Sequence, residues 1–257
     1  MNNNVIYTIK ADPHCAWAIR SGDWDWPAYA IDKWSGLTLE RMRLYAKRVG
    51  ADFVVIDESK LKEIKLPKKL GAFQKVNMLK FYALDSFSRS KYERMLFLDL
   101  DILIKKEAEN IFNVVSCDGI HMTVNKNESD DRTYKELTQN YYFKDKEVPT
   151  RVFNSPVYNG GVIYANRASV IRFCEKIPEL EGWVEFFESH GLASNPPFHG
   201  AWMNEQHLIS MFLSLHNFHV SILDEFKWNI APDYERPYSN FVHYFGPAKD
   251  LLIDKSA

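Results

Sequence analysis

The run Met95-Leu96-Phe97-Leu98-Asp99-Leu100-Asp101-Ile102-Leu103-Ile104 limits the folds open to this chain more than any other segment. Apart from two aspartates it is continuously apolar, the pattern of a strand covered on both faces by helices. Ionised carboxylates in such surroundings need a compensating charge. The strand is therefore expected to end at a cation. Open α/β sheets gather their ligands at the carboxyl ends of strands, so Asp99-x-Asp101 marks an expected site for a divalent ion holding a diphosphate.

The rest of the composition agrees with an α/β enzyme core. With 257 residues, 46% of them hydrophobic, the chain is long enough to bury a sizeable core, read here as a single domain over residues 1–257. Lysine and arginine (32) nearly balance aspartate and glutamate (34) for a net charge of −2. That balance gives no general attraction for nucleic acid or an anionic membrane. Met1-Asn2-Asn3-Asn4 enters a strand without a basic, apolar leader, and no apolar stretch reaches the ~18 residues of a membrane span. A cytoplasmic protein is expected. Cys15, Cys117 and Cys174 are widely separated and match no zinc spacing, so they read as reduced thiols.

Strands and helices alternate along the chain. Val5 to Lys10 and Phe53 to Ile56 read as strands, with a helix from Ser35 to Val49 between them whose apolar positions are Leu37, Met42, Leu44 and Ala46. A helix from Phe73 to about Phe87 precedes the strand Tyr92 to Ile104. Asn110-Ile111-Phe112 closes a short helix, and Asp118 to Val124 reads as a further strand. Asn125 to Thr150 is polar and charged, an excursion from the core sheet with a helix near Tyr134 to Tyr141. Val157 to Ala165 returns to strand, Arg167 to Ile177 and Met203 to Leu215 are helical, and Phe241 to Phe245 is a last apolar run.

Three further motifs carry side chains suited to a site. Asn159-Gly160-Gly161 opens an apolar strand: glycines admit a close backbone approach, and the amide can both donate to and accept from hydroxyls. In isolation, a turn before a strand is the commoner meaning of such a string. Glu205-Gln206 follows Asn204 at the head of an apolar helix, where a cap with acids in the first turn is equally ordinary. His243-Tyr244-Phe245-Gly246-Pro247-Ala248-Lys249 puts an imidazole, a glycine and an ammonium within one short segment, as a metal-bound diphosphate requires.

Taken in order, Asp-x-Asp, Asn-Gly-Gly, acid-Gln and His-x-x-Gly-x-x-Lys resemble the retaining glycosyltransferases of family 8, the glycogenin and bacterial lipopolysaccharide galactosyltransferase family. The resemblance runs from about Val5 to Lys249. It implies a GT-A fold, a Rossmann-like, mixed but mostly parallel sheet flanked by helices. It also implies that Asp99, Asp101 and His243 bind manganese or magnesium, that Gly246 and Lys249 lie on the donor diphosphate, that Leu100 contacts the donor, and that Asn159 and Gly160 contact the donor sugar. Gln206 falls beneath the anomeric carbon, with Glu205 in place of the family's aspartate. Thr8, Ile9 and Asp12 fall where the family holds uridine. A basic residue on the helix before the metal strand is also implied; Lys75 and Lys80 both compete for that place, and Lys75 is preferred. The final lysine is followed by Asp250-Leu251 rather than the family's Pro-Trp. The Asp-Leu-Asp, Asn-Gly-Gly and Glu-Gln elements also look like the galactosyl- and xylosyltransferases of family 34, which share the stereochemical outcome.

The activity implied is metal-dependent transfer of a hexose or pentose from a nucleoside diphosphate sugar, a UDP-sugar by resemblance, to a glycan, lipid-linked or protein acceptor. Leaving-group stabilisation would come from the cation and Lys249. A front-face substitution guided by Gln206 is preferred over a double displacement through Glu205. A catalytically silent sugar-nucleotide or carbohydrate binder would keep the fold without turnover. An Asp-x-Asp phosphohydrolase fits less well, because Leu103 stands where that motif carries threonine or valine. Trp17, Trp24, Trp26 and Trp34 are suited to stacking on sugars, but tryptophan more often anchors loops to a core. Asp130-Asp131 suits a sugar contact or a solvated loop, and His14, His121, His199 and His207 read as structural.

Overall fold

The computed structural model describes residues 2–10, 28–68, 70, 72–144, 146–192, 205–249 and 251–252. Asp12, His14, Cys15, Trp17, Trp24, Trp26, His199, Asn204 and Asp250 lie outside the described residues. The strands are β1 (Asn4–Lys10), β2 (Ala51–Asp57), β3 (Arg94–Leu98), β4 (Ile102–Ile104), β5 (Ile120–Val124), β6 (Tyr158–Asn166), β7 (Val220–Ile222) and β8 (Phe241–His243). The α-helices are α1 (Ala28–Val49), α2 (Ala72–Ser88), α3 (Ile111–Val114), α4 (Glu128–Glu136), α5 (Thr150–Phe153), α6 (Arg167–Cys174), α7 (Trp183–Ser189), α8 (Glu205–Leu215) and α9 (Glu225–Trp228).

Six strands form one sheet in the order β2-β1-β3-β6-β5-β7, and β4 with β8 forms a second. In the large sheet β1 is parallel to β2 and β3, β5 is parallel to β7, and β6 alone runs against its neighbours β3 and β5. This is the mixed, mostly parallel α/β sheet of a GT-A fold. Both faces are covered. Alternation along β3 sends Met95 and Phe97 into one core with Leu79, Phe81 and Phe87 of α2, and Leu96 and Leu98 into another with Met42, Tyr45, Ala46 and Val49 of α1. The inner face of α1 is thus Met42, Tyr45, Ala46 and Val49, spaced i, i+3, i+4, i+7. Leu44, expected on that face, is 52% exposed.

Two elements differ from the expected reading. The Asp-x-Asp strand is not continuous to Ile104: β3 ends at Leu98, the chain turns with the Ile102 N–H on the Asp99 carbonyl at 3.1 Å, and β4 leaves for the second sheet. The reason is non-local pairing, because β4 aligns antiparallel with β8 and sets Ile102 opposite His243. Residues 125–150 are also more ordered than a polar excursion. Asn127 caps α4 through its side chain, and α4 runs on into a π-helix, Leu137–Tyr142. Tyr134 and Leu137 are fully buried in the α2-side core.

Candidate active site

The residues expected to ligate a metal come together because two backbone connections meet at the end of β3. The Asp99 N–H donates to the Gly161 carbonyl at 2.9 Å, tying the turn to β6. The Tyr244 N–H donates to the Asp101 carbonyl at 2.9 Å, tying it to β8. Asp99, Asp101 and His243 each offer one ligand atom, and these atoms all lie within 4.8 Å of one another. His243 Nε2 is 3.1 Å from Asp101 and 4.0 Å from Asp99. Two carboxylates and one imidazole form a hard-oxygen and nitrogen donor set that fits a divalent ion such as manganese or magnesium.

Two lysines compensate the acids. Lys249, from a short 3-10 helix at Gly246–Lys249, lies 2.9 Å from Asp101. Burial works against ionisation of Asp101, but Lys249 and His243 outweigh it and hold the carboxyl well below the usual range. Lys249 Nζ also sits 5.7 Å from the ring centroid of Trp34. Trp34 is 4% exposed in a small core with Ile230, Val242, Tyr244 and Leu252, so it is an anchor beneath the site. Leu100 packs its side chain against the same cluster.

Lys80 is the second cation. It is 3% exposed, 2.9 Å from Asp99 and hydrogen-bonded to Glu205. Burial pulls the ammonium down, but the two carboxylates outweigh it and hold Lys80 above the ordinary lysine range. Lys75, preferred from the sequence, does not take this place: its Nζ donates to the Lys68 carbonyl at 3.2 Å. Five residues along a helix turn a side chain by ~140°, so the two lysines leave α2 on different faces.

Glu205 and Gln206 open α8, buried from Glu205 through Leu213. Ser210 fixes the helix against β6, donating to the Gln206 carbonyl at 2.7 Å and accepting from the Tyr158 N–H at 2.9 Å. Burial pushes the Glu205 carboxyl up despite Lys80, and the Asp99 charge adds to the rise. Its Oε2 is buried with no hydrogen-bond partner among the described residues.

The paired glycines have a reason the sequence alone does not display. Pairing of β5 with β6 jumps from Met122↔Ile163 to Thr123↔Asn159, so Gly160-Gly161-Val162 stand off from β5. A Cβ on Gly160 would sit 2.9 Å from Glu205 Oε1 and 3.0 Å from Lys80 Nζ; one on Gly161 would sit 2.6 Å from His243 Cε1. The glycines make room for the site's own side chains. Asn159 Oδ1 accepts from the Gly161 N–H at 2.8 Å, closing a local turn.

Thr8, opposite Leu98 in register, and Ile9 are buried at the end of β1. Thr8 Oγ1 has no hydrogen-bond partner among the described residues. Asp130 accepts from Asn125 Nδ2 at 2.7 Å and lies 3.4 Å from Nε2 of the fully buried His207. Asp131 is engaged by Lys135 at 2.7 Å. Lys80 was the weaker candidate from sequence and Asn229, which contacts His243, carried no signal at all; a helical-phase count from Phe81 and Leu84 would have favoured Lys80.

A family model described as glycosyl transferase family 8 matches residues 38–172. No curated protein sequence matches the chain. Among solved structures, a glycosyltransferase involved in the glycosylation of the major capsid of PBCV-1 superposes with TM-score 0.55 and 12% identity, over 98% of each chain. The galactosyltransferase LgtC, solved in complex with donor and acceptor sugar analogs, gives 0.51 and 11%, over 98% of this chain and 95% of that one. Mouse xyloside xylosyltransferase 1, in its apo form, gives 0.50 and 13%, over 93% and 96%. At such identities the likeness is one of fold.

Proposed function

The chain belongs to glycosyl transferase family 8, and from that premise we propose that it transfers a hexose or pentose from a UDP-sugar with retention, using a divalent ion held by Asp99, Asp101 and His243. The observation that carries this reading is the convergence of those three ligand atoms within 4.8 Å, beside two compensating lysines. A bound manganese or magnesium ion supplies positive charge to the leaving diphosphate. Lys249, 2.9 Å from Asp101, would add an ammonium for the same diphosphate, and Thr8, Ile9 and Asp12 are assigned to the uridine side. Asn159, Gly160 and Gln206 are assigned to the donor sugar.

Glu205 is tied to the Lys80 ammonium and buried among its neighbours. A carboxylate so engaged is a poor nucleophile, because attack would separate a buried ion pair. Its Oε2, without a partner among the described residues, is better suited to accept from a sugar hydroxyl. This favours a front-face substitution in which Gln206 orients the sugar and the departing phosphate takes the acceptor proton. The test is proton NMR of the first-formed product together with mass spectrometry of the enzyme during turnover. The reading expects the donor's anomeric configuration in the product and no added mass on the protein. An inverted product overturns the retaining assignment, and a sugar attached to Glu205 overturns the front-face route.

A further inference from the structure

His243 is held on both sides of its ring. Nε2 faces Asp101 and Asp99, while Nδ1 lies 2.9 Å from Oδ1 of Asn229. Asn229 in turn donates from Nδ2 to Thr123 Oγ1 at 2.7 Å. The backbone fixes this contact. Asn229 caps the carboxyl end of α9 with its N–H on the Glu225 carbonyl at 3.0 Å. Ile230, the next residue, donates to the Phe241 carbonyl and accepts from the His243 N–H at 2.8 Å, clamping this segment along β8. Thr123 is 1% exposed and stands opposite Asn159 where the β5–β6 register jumps. Against the same ring only a glycine fits, since a Cβ at Gly161 would approach Cε1 to 2.6 Å and Nδ1 to 2.9 Å.

We propose that Asn229 is a positioning residue for the cation, its Oδ1 accepting the Nδ1–H of His243 so that Nε2 is the nitrogen left to ligate a cation held with Asp99 and Asp101. The inference rests on the metal-site reading above. A neutral imidazole carries one proton, and the nitrogen that binds a metal must be the other one. The partner of the non-ligating nitrogen therefore decides which nitrogen is available, and such partners commonly change metal affinity by about 10–100-fold when removed. Thr123 can receive the amide's N–H end, which leaves the carbonyl end for His243. A neutral amide performs this role without adding a third negative charge behind Asp99 and Asp101. The arrangement also links the metal ligand on β8 to the strand pair that carries Asn159.

The test uses the full chain labelled with [15N]histidine. Long-range proton–nitrogen spectra at pH 8, with His243 assigned from the signal lost in His243→Gln, read the protonation of each ring nitrogen without metal. Manganese affinity is read separately by paramagnetic resonance of the free ion for wild type, Asn229→Leu, Asn229→Asp and Thr123→Val. The proposal expects a protonated Nδ1 in wild type and Mn²⁺ affinity about 10–100-fold weaker in Asn229→Leu. Asn229→Asp, which keeps the acceptor, should bind within a few-fold of wild type, and Thr123→Val should fall between the two. An unprotonated Nδ1 in wild type overturns the proposal. So does a folded Asn229→Leu that binds Mn²⁺ like wild type, or an Asn229→Asp that loses as much as the leucine. Should Asn229→Leu fail to fold, Asn229→Asp and Thr123→Val decide alone. A wild-type protein that binds no Mn²⁺ overturns the metal-site reading itself, while the nitrogen spectra still decide the tautomer.

Discussion

Replacing Lys80 with methionine removes the cation that Asp99 and Glu205 share while keeping a side chain of similar length and helix propensity. Lys80 is 3% exposed, and its Nζ lies 2.9 Å from Asp99. Two unit charges at that separation attract by roughly 6 kcal/mol at an effective dielectric constant of about 20. Desolvation of the lysine offsets part of this. The loss of one partner from a buried ion pair costs about 3–5 kcal/mol, because the remaining charge stays buried. Lys80→Met in EDTA should therefore lower the unfolding free energy by about 3–5 kcal/mol, or Tm by roughly 6–20 °C for a chain of this size. Adding Glu205→Gln removes one of the stranded carboxylates, so the double variant should regain at least about 1 kcal/mol over Lys80→Met alone. Urea unfolding followed by circular dichroism reads both values. A Lys80→Met protein within about 0.5 kcal/mol of wild type, the range of an ordinary surface substitution, would refute the electrostatic organisation described for the site.

Gly161→Ala should weaken Mn²⁺ binding by at least tenfold and destabilise the fold by about 1–3 kcal/mol, because its Cβ would lie 2.6 Å from His243 Cε1; calorimetric titration and urea unfolding check the two effects. Trp34→Ala should cost about 3–5 kcal/mol of stability, since the ring is 4% exposed beneath Lys249, and denaturant unfolding measures it. Burial pushes the Cys174 thiol up to about 12, so the neutral form dominates at every pH below that value. Cys174 is half-buried, so mass spectrometry after iodoacetamide treatment of the folded protein at pH 8 should find it labelled well more slowly than a free thiol, and labelling at the rate of a free thiol would contradict the raised pKa.

The large sheet was readable because its signal is local. Apolar runs at Val5 to Lys10, Phe53 to Ile56 and Val157 to Ala165 are dense in β-branched and aromatic residues, and each lies within two residues of an observed strand end. What the chain hides is set by distant pairing. Nothing near Ile102-Leu103-Ile104 announces that these residues leave the main sheet for Phe241-Val242-His243, yet that pairing is what brings the imidazole to the carboxylates. The π-helix at Leu137–Tyr142 falls in the helix expected near Tyr134 to Tyr141, but its burial is set by distant partners, since Leu137 and Thr138 are buried and Tyr141 and Tyr142 pack against the α2-side core.

Within the site, residue types that are costly to bury stood out: Asp99, Asp101, His243 and Glu205 have few reasons to sit in apolar surroundings. Lys80 and Lys75 share composition and neighbourhood and differ in helical phase, so the phase of Phe81 and Leu84 is the one sequence signal that separates them. Asn229 looks like any helix-terminating asparagine until β8 is placed beside it. The glycines of Asn159-Gly160-Gly161 pointed to close approach, but whether by a ligand or by Lys80, Glu205 and His243 depends on where α2, α8 and β8 lie.

The most direct test of the central claim is release of nucleoside diphosphate across a panel of UDP- and GDP-sugars, with Mn²⁺ and with EDTA, for wild type and Asp101→Ala. Metal-dependent release from a UDP-sugar, lost in EDTA and in the variant, is the expected result. Absence of both release and metal-dependent binding of any nucleotide by the folded wild-type protein would contradict it.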